Sequence, residues 1–193
     1  MTPHTSLPMS LDDFAELART RRTHMLVDQA REVPSQLIDR LCEVATWAPN
    51  HKRTWPWKFA SCTGEARYRL GEAFVTDMVA RDFGDEGKRA KTSTKYGRTP
   101  AVLVVGCAPH ANPSLHDENR DAVAAAIQNL LLAATAAGLA SFWSTPPLID
   151  SEQALALCGF DPDDRIVALV YLGWPVSSVD APQRPPPDVT HLG

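Results

Sequence analysis

The sequence predicts a layered α+β fold rather than a doubly wound α/β fold. Some segments carry apolar residues at helical spacing, whereas others are short apolar, β-branched runs of strand length. The two kinds of segment interleave without a regular strand–helix–strand rhythm. Because the chain has 193 residues and 44% of them are hydrophobic, we expect one compact domain over residues 1–193.

The first two predicted elements are helices. Residues 10–20 repeat apolar side chains at helical spacing after Ser10, which is a suitable N-cap for the acidic first turn. Residues 35–48 show the same periodicity until Pro49, which cannot continue a helix.

The middle of the chain alternates between the two patterns. Residues 57–62 are predicted to form a short strand and residues 64–81 a helix. Residues 82–98 mix charges with three glycines, so we expect a mobile, partly helical excursion over the surface. The continuous apolar run Ala101–Cys107 predicts a strand that is buried on both faces.

The last third of the chain contains a long apolar helix and two further strands. Residues 119–138 are rich in Ala and Leu almost all the way round and end at Gly138, a natural C-cap, so this helix must be buried in the core or against a second subunit. Residues 139–145 and 165–173 are predicted strands, and residues 151–158 a short helix between them.

We expect both ends of the chain to lie outside this core. Residues 1–9 are predicted to be flexible, and residues 176–193 are predicted to form an extended tail. The tail is rich in proline and has no helical pattern, so it must be disordered or lie along a surface, possible surfaces including that of a second subunit.

Composition excludes several classes of protein. A net charge of -4 and a pI of about 5.8 argue against a nucleic-acid partner. No apolar run approaches the roughly 20 residues of a membrane span, and no secretory signal is visible, so we expect a cytoplasmic protein without a membrane partner. The cysteines show no spacing typical of zinc sites or disulfide frameworks, and we interpret His110 and His116 as part of a solvated loop rather than a metal site.

Four segments carry chemistry that is suggestive only in combination. Arg21, Arg22 and Thr23 directly follow the first helix, and two guanidiniums with a hydroxyl suit a phosphate monoester, although cations at a helix C-terminus also answer the helix dipole. Arg184 lies in the tail, where it is either solvated or a second phosphate clamp.

The other two segments offer aromatic surface and backbone donors. Residues 48–57 form a turn bracketed by prolines, with His51, cations and two indoles, of which Trp57 could equally be a core residue. Residues 141–147 end a strand in hydroxyl residues and prolines, where free N–H groups could meet the acceptors of a planar heterocycle, or where an ordinary strand ends.

The order of these segments resembles the FMN-dependent nitroreductase family, in its small single-domain branch. The motifs are RRT, then APNHKRTWPWKF, then QNLLLAATAAGLASFWST and finally IVALVYLGWP. No single motif is diagnostic, but the colinear set is specific and covers residues 10–185.

The resemblance implies a nitroreductase-like fold, with a central, mainly antiparallel sheet flanked by helices. It also implies a homodimer that binds FMN at the subunit interface and in which the C-terminal tail crosses to the partner. NADH or NADPH would act as a transient reductant, and a nitroaromatic, quinone or related small acceptor would be reduced by a ping-pong hydride mechanism. FMN carries that chemistry, so no catalytic side chain is expected. The implied cofactor-binding residues are Arg21, Arg22, Thr23, Trp47, His51, Trp55, Trp143, Ser144, Thr145 and Arg184.

The chain departs from the family pattern at several positions. Many relatives carry a further arginine shortly after the RRS motif, which this chain lacks; Trp55 occupies the place of a Gln or Asn, and Trp47 stands where some relatives have Arg. Indoles at these places would narrow the site or weaken FMN binding. Two alternatives therefore stay open: a flavin carrier or sensor without turnover, and a structural or partner-binding protein that has lost the flavin.

Overall fold

The computed structural model describes residues 9–193 and places a five-stranded antiparallel sheet between two layers of helices. The helices are α1 Leu11–Thr20, α2 Ser35–Ala45, α3 Ala66–Ala80, α4 Glu86–Thr94, α5 Pro113–Ala136 and α6 Glu152–Cys158. The strands are β1 Val27–Asp28, β2 Trp57–Thr63, β3 Ala101–Cys107, β4 Ala140–Ser144 and β5 Arg165–Pro175.

The long strand β5 organises the sheet. It pairs with β3 along one edge and with both β4 and β1 along the other, and β2 closes the far side of β3. Because side chains alternate across a strand, β3 sends Leu103 and Val105 to one face and Val102 and Val104 to the other. The apolar run of β3 is therefore buried throughout, as the sequence predicts.

A separate hydrophobic core covers each face of the sheet. On one face α2 and α5 pack over the sheet, with Ile127 and Leu130 of α5 fully buried. On the other face α3, α6 and the chain after α4 cover it, with Phe74 and Tyr96 fully buried. Antiparallel pairing and two helical layers confirm the predicted α+β class.

Several predicted bounds are corrected by the structure. The second helix ends at Ala45 rather than residue 48, and a turn leads to Pro49. Helix α5 begins at Pro113 rather than residue 119, because the side chain of Asn112 accepts the N–H of Ser114 at 3.0 Å and proline is tolerated in the first turn. The two-residue strand β1 was not predicted.

Residues 82–98 contain more structure than the sequence suggests. Asp85 caps α4 by accepting the N–H of Lys88, and a short 3₁₀ helix, Lys95–Arg98, follows α4. Tyr96 in that turn is fully buried against the second core. The segment is partly helical and mostly exposed, as the sequence predicts, but Tyr96 anchors its end in the core.

The tail after β5 has no helix or strand and is exposed along its length. The flexibility predicted for residues 1–9 concerns a segment of which residues 1–8 lie outside the described part of the chain. Between residues 9 and 193, no helix combines the length and apolarity needed to cross a bilayer.

Candidate functional site

Three arginine side chains from opposite ends of the chain meet at the C-terminal end of α1. Arg21 caps α1 through its backbone N–H, which donates to Leu17 O at 3.2 Å. Arg22 and Arg184 line one surface cavity beside that helix end. Burial lowers the pKa of the Arg21 guanidinium, and the charges of Arg184 and Arg22 lower it further.

The arginine cluster, Arg21, Arg22 and Arg184, has no acidic counterpart in the described part of the chain. Within residues 9–193 none of the three guanidiniums lies within 4 Å of a carboxylate. Like charges that crowd together without a counter-ion repel one another, and a bound anion would relieve that repulsion. The cluster is therefore a candidate anion site.

The start of β4 holds the arginine cluster in place. Thr23 forms an isolated parallel bridge with Ser141 of β4, and the N–H of His24 donates to Ser141 O at 3.1 Å. The Ser141 hydroxyl is buried and has no hydrogen-bond partner among the described residues. A threonine hydroxyl and an unsatisfied serine hydroxyl thus belong to the strand start that carries the arginines.

The other end of β4 opens into a cavity of about 450 Å³, which we call the strand-end cavity. Trp143 and Thr145 line it from β4 and the turn that follows, and Ser144 lies between them, with its hydroxyl donating to Thr145 O at 3.4 Å. Ser141 and Ser144 are three residues apart, about 10 Å along a strand. One small molecule could therefore contact both ends of β4.

The loop from Asn50 to Trp55 is strained and cross-braced. Lys52, Arg53 and Trp55 all have positive φ, of 60°, 54° and 50°. The side chain of Asn50 accepts the Trp55 N–H at 2.8 Å, and the Thr54 hydroxyl donates to Asn119 of α5. Each left-handed non-glycine residue costs on the order of 1–3 kcal/mol, so the bracing fixes an unusual backbone of the kind that clusters at functional sites.

The aromatic and imidazole side chains of this region point away from the core. His51 Nδ1 lies 2.6 Å from Glu118 Oε2 of α5, which ties the loop to that helix. The ring of Trp55 lies 5.8 Å from that of Trp57 at an interplanar angle of 60°. Trp55 is 59% exposed, and Trp47 is 79% exposed. In the described chain no hydrogen bond or ion pair joins these residues to the arginine cluster.

The comparisons with known proteins identify the family. The model of the nitroreductase family matches residues 18–174. The chain belongs to the nitroreductase family. A Bacillus subtilis protein, YfhC, which is described as an NAD(P)H nitroreductase, is 28% identical over 174 residues, covering 89% of each chain.

Solved structures of other nitroreductases share the fold. A nitroreductase-like protein from Bacillus cereus superposes with a TM-score of 0.78 at 27% identity, covering 93% of this chain and 95% of its own. A Bacteroides fragilis nitroreductase with bound FMN gives a TM-score of 0.69 at 19% identity, covering 93% and 98%. The predicted family, the nitroreductase-like fold and the expectation of an enzyme are confirmed.

The structure groups the predicted site residues of this nitroreductase into two sets. Arg21, Arg22, Thr23 and Arg184 meet at the start of β4, with Trp143, Ser144 and Thr145 at its other end. His51 and Trp55 belong to a separate loop braced on α5, and Trp47 follows α2, where its indole N–H donates to Glu43 Oε1 at 3.3 Å. Their roles in cofactor binding stay predictions.

Sequence reasoning missed three side chains of the strand-end cavity. His116 lies in the first turn of α5, before the predicted helix start at residue 119, whereas Arg120 is the second residue of the predicted helix. Arg165 is the first residue of β5. Their spacing along the sequence gives no sign that they meet. Among the described residues, no group of three His, Cys, Asp or Glu side chains could hold a metal ion.

Proposed function

We propose that this chain is an FMN-dependent oxidoreductase that uses NADH or NADPH to reduce small electron acceptors such as nitroaromatics and quinones. The observation that carries the proposal is the arginine cluster at the start of β4, three guanidiniums that have no carboxylate partner among residues 9–193. Membership of the nitroreductase family, the NAD(P)H named for YfhC and the FMN bound by the Bacteroides fragilis relative support it.

The residues present fit the phosphate end of FMN. Arg21, Arg22 and Arg184 would donate charge-assisted hydrogen bonds to the phosphate oxygens, and each stays charged at any physiological pH. Thr23, which pairs with Ser141 of β4, adds a hydroxyl at the same strand start. The missing arginine of the family motif is thus offset in part by Arg184 from the tail.

The far end of β4 fits the flavin ring. In the turn after Ser144 only Thr145 can offer a backbone N–H before residue 148, because Pro146 and Pro147 have none, and the indole of Trp143 offers a flat surface. FMN supplies the redox chemistry when bound, accepting a hydride equivalent from the reduced nicotinamide and passing electrons to the acceptor. The chain itself binds, orients and shields, so no nucleophile or general base is required.

We propose that the complete site is built from two copies of the chain. Helix α1 has no buried residue, and its apolar side chains Leu11 and Phe14 are 82% and 48% exposed. An amphipathic helix with an uncovered apolar face needs a partner surface. A homodimer would cover it and would bring the indoles of Trp47 and Trp55 toward the flavin of the other protomer.

The tail is consistent with that assembly. Residues up to Arg184 run beside α1 of their own chain, and the residues beyond it are exposed. We propose that the remainder crosses to the partner subunit. A cytoplasmic location and a single domain over residues 1–193 also stay proposals.

Steady-state kinetics test the proposal directly. Purified protein supplied with FMN is assayed with NADH or NADPH against a benzoquinone and a nitroaromatic acceptor. If the reductant and the acceptor occupy the same site in turn, double-reciprocal plots of rate against reductant concentration should give parallel lines at different acceptor concentrations. Protein that binds FMN yet turns over neither reductant is a flavin carrier, and protein that takes up no FMN refutes the proposal altogether.

The two-chain site has its own test in a mixed dimer. Arg21→Ala removes a phosphate donor, whereas Trp55→Ala and His51→Ala remove the loop contribution. If the sets come from different protomers, mixing the arginine variant with a loop variant restores one intact site per dimer. Absence of any recovery on mixing places both sets on one chain.

A further inference from the structure

The strand-end cavity continues past the end of β4 to two further arginines, Arg120 and Arg165. Ser144, the last residue of β4, pairs with Leu169 of β5, and Arg165 lies four residues further along β5. At about 3.3 Å per residue that is roughly 13 Å beyond the end of β4. The arginine cluster lies the other way, at Ser141, so Arg165 is on the far side of the proposed ring site.

Arg120 reaches the same cavity from α5. Residues 116, 120 and 124 are spaced by four and share one face of α5, and all three line the cavity. Both arginines are close enough to the buried Cys107 thiol to act on its ionisation: burial and Asp164 raise the pKa of Cys107 to about 11, and Arg165 and Arg120 oppose that rise. The two guanidiniums therefore flank the same inner wall.

Neither guanidinium is neutralised by the residues that the structure describes. Within residues 9–193 neither Arg120 nor Arg165 lies within 4 Å of a carboxylate. Asp163 lines an adjoining cavity with Arg165 but makes no ion pair with it. The nearby Asp164 is instead engaged by Lys58 at 3.6 Å and by the Asp161 N–H at 2.8 Å.

The remaining walls are apolar or aromatic. Trp143, Ile149 and Ile166 line the cavity between the ring site and the two arginines. His116 Nδ1 accepts the His110 N–H at 3.4 Å, which leaves its Nε2 free to donate. A flat apolar body with a single anionic group at one end matches this arrangement of walls and donors.

We propose that the strand-end cavity binds a carboxylated aromatic electron acceptor, with Arg120 and Arg165 holding its carboxylate. This rests on the proposed function, because it places the reducible group of the acceptor at the flavin end of the cavity. The aromatic body lies against Trp143 and Ile149. A planar carboxylate accepts paired, charge-assisted hydrogen bonds from a guanidinium. A neutral ester of similar shape carries no negative charge and cannot form such a pair.

The test compares 4-nitrobenzoate with its methyl ester as acceptors of the FMN-loaded enzyme. We expect wild-type kcat/KM to favour the carboxylate, and Arg120→Gln and Arg165→Gln each to lower it about tenfold or more for 4-nitrobenzoate. For the ester we expect less than about a twofold change, since no charge-assisted bond is lost. Arg120→Lys and Arg165→Lys should recover part of the preference. Arg40→Gln, an exposed arginine of α2 paired with Glu43, is the matched control.

Two outcomes overturn this inference and leave the proposed function standing. One is efficient reduction of both acceptors with no carboxylate preference, or with a preference that the Gln variants leave unchanged. The other is a rise in the KM for NADPH or NADH in the Gln variants with unchanged acceptor kinetics, which would assign the arginines to the phosphates of the reductant.

A calorimetric titration with benzoate separates this inference from catalysis. It needs no turnover, so it reports on the cavity even if no acceptor is reduced. Binding that weakens about tenfold in Arg165→Gln and not in Arg40→Gln supports the carboxylate site. Absent or variant-independent binding rejects it.

Discussion

Replacing Arg184 with alanine affects the free protein and the FMN complex in opposite directions. Burial is the main cause of the lowered pKa of Arg21, and the positive charge of Arg184 lowers that pKa further, so Arg184 repels the charged form of Arg21 in the free protein. No carboxylate within residues 9–193 lies close enough to Arg184 to form an ion pair. Its removal should leave the free energy of unfolding of the FMN-free protein unchanged or slightly higher.

The FMN complex should lose affinity in the same variant. A hydrogen bond to a charged group contributes about 1.5–3 kcal/mol, which corresponds to a rise of roughly 10- to 150-fold in the dissociation constant. Quenching of flavin fluorescence on titration gives that constant, and urea unfolding of the FMN-free protein gives the stability. Arg40→Ala is the control at an exposed arginine. An unchanged dissociation constant, or a fall in apo stability that accounts for the weaker binding, refutes the reasoning.

Three further predictions concern the scaffold. Gly71→Ala should destabilise the fold by about 1–3 kcal/mol in urea unfolding, because the new Cβ would lie 2.2 Å from Ser93 O. Gly87→Ala is the control and should be neutral or stabilising, because the nearest atom to its new Cβ is 3.5 Å away. Equal losses of stability in the two variants would contradict the packing of α3 on α4. Ser151→Ala should lower the free energy of unfolding by about 1–3 kcal/mol, because the buried Asp77 carboxylate loses a hydroxyl donor at 2.6 Å and α6 loses its N-cap. Ser114→Ala, at an exposed serine, is the control. A comparable loss of stability in that variant would argue against the buried hydrogen bond. Burial raises the pKa of Cys107 to about 11 and so favours the neutral thiol in the folded state. The free energy of unfolding should therefore hold below pH 9 and fall as the pH rises from 9 toward 11. Cys107→Ala should flatten that slope, and identical pH profiles of the two proteins would reject the burial argument.

Local patterns predict most of the fold. Residues 11–20 form α1 because apolar periodicity and the Ser10 cap are both encoded within one segment. The run of β3 is short and contains three valines, and this combination favours a strand covered on both faces over a buried helix. The early start of α5 was visible in Asn112 and Pro113, a cap followed by a proline in the first turn.

Features that depend on tertiary contacts could not be predicted from local sequence patterns. Tyr96 lies among charged residues in the sequence, and only the packing of its ring against Phe74 and Tyr171 reveals it as a core residue. The proximity of Arg184 to Arg21 likewise depends on the path of the tail. The resemblance to a family predicted that pair, whereas Arg120 and Arg165 match no motif and emerge only once α5 and β5 are placed side by side.

The absorption spectrum of the FMN-loaded protein under anaerobic conditions tests the central claim most directly. Addition of NADH or NADPH should bleach the flavin band near its visible maximum, and a subsequent nitroaromatic or quinone should restore it without further reductant. A flavin band that neither nicotinamide bleaches, or that stays bleached when acceptor is added, would contradict the assignment of an oxidoreductase.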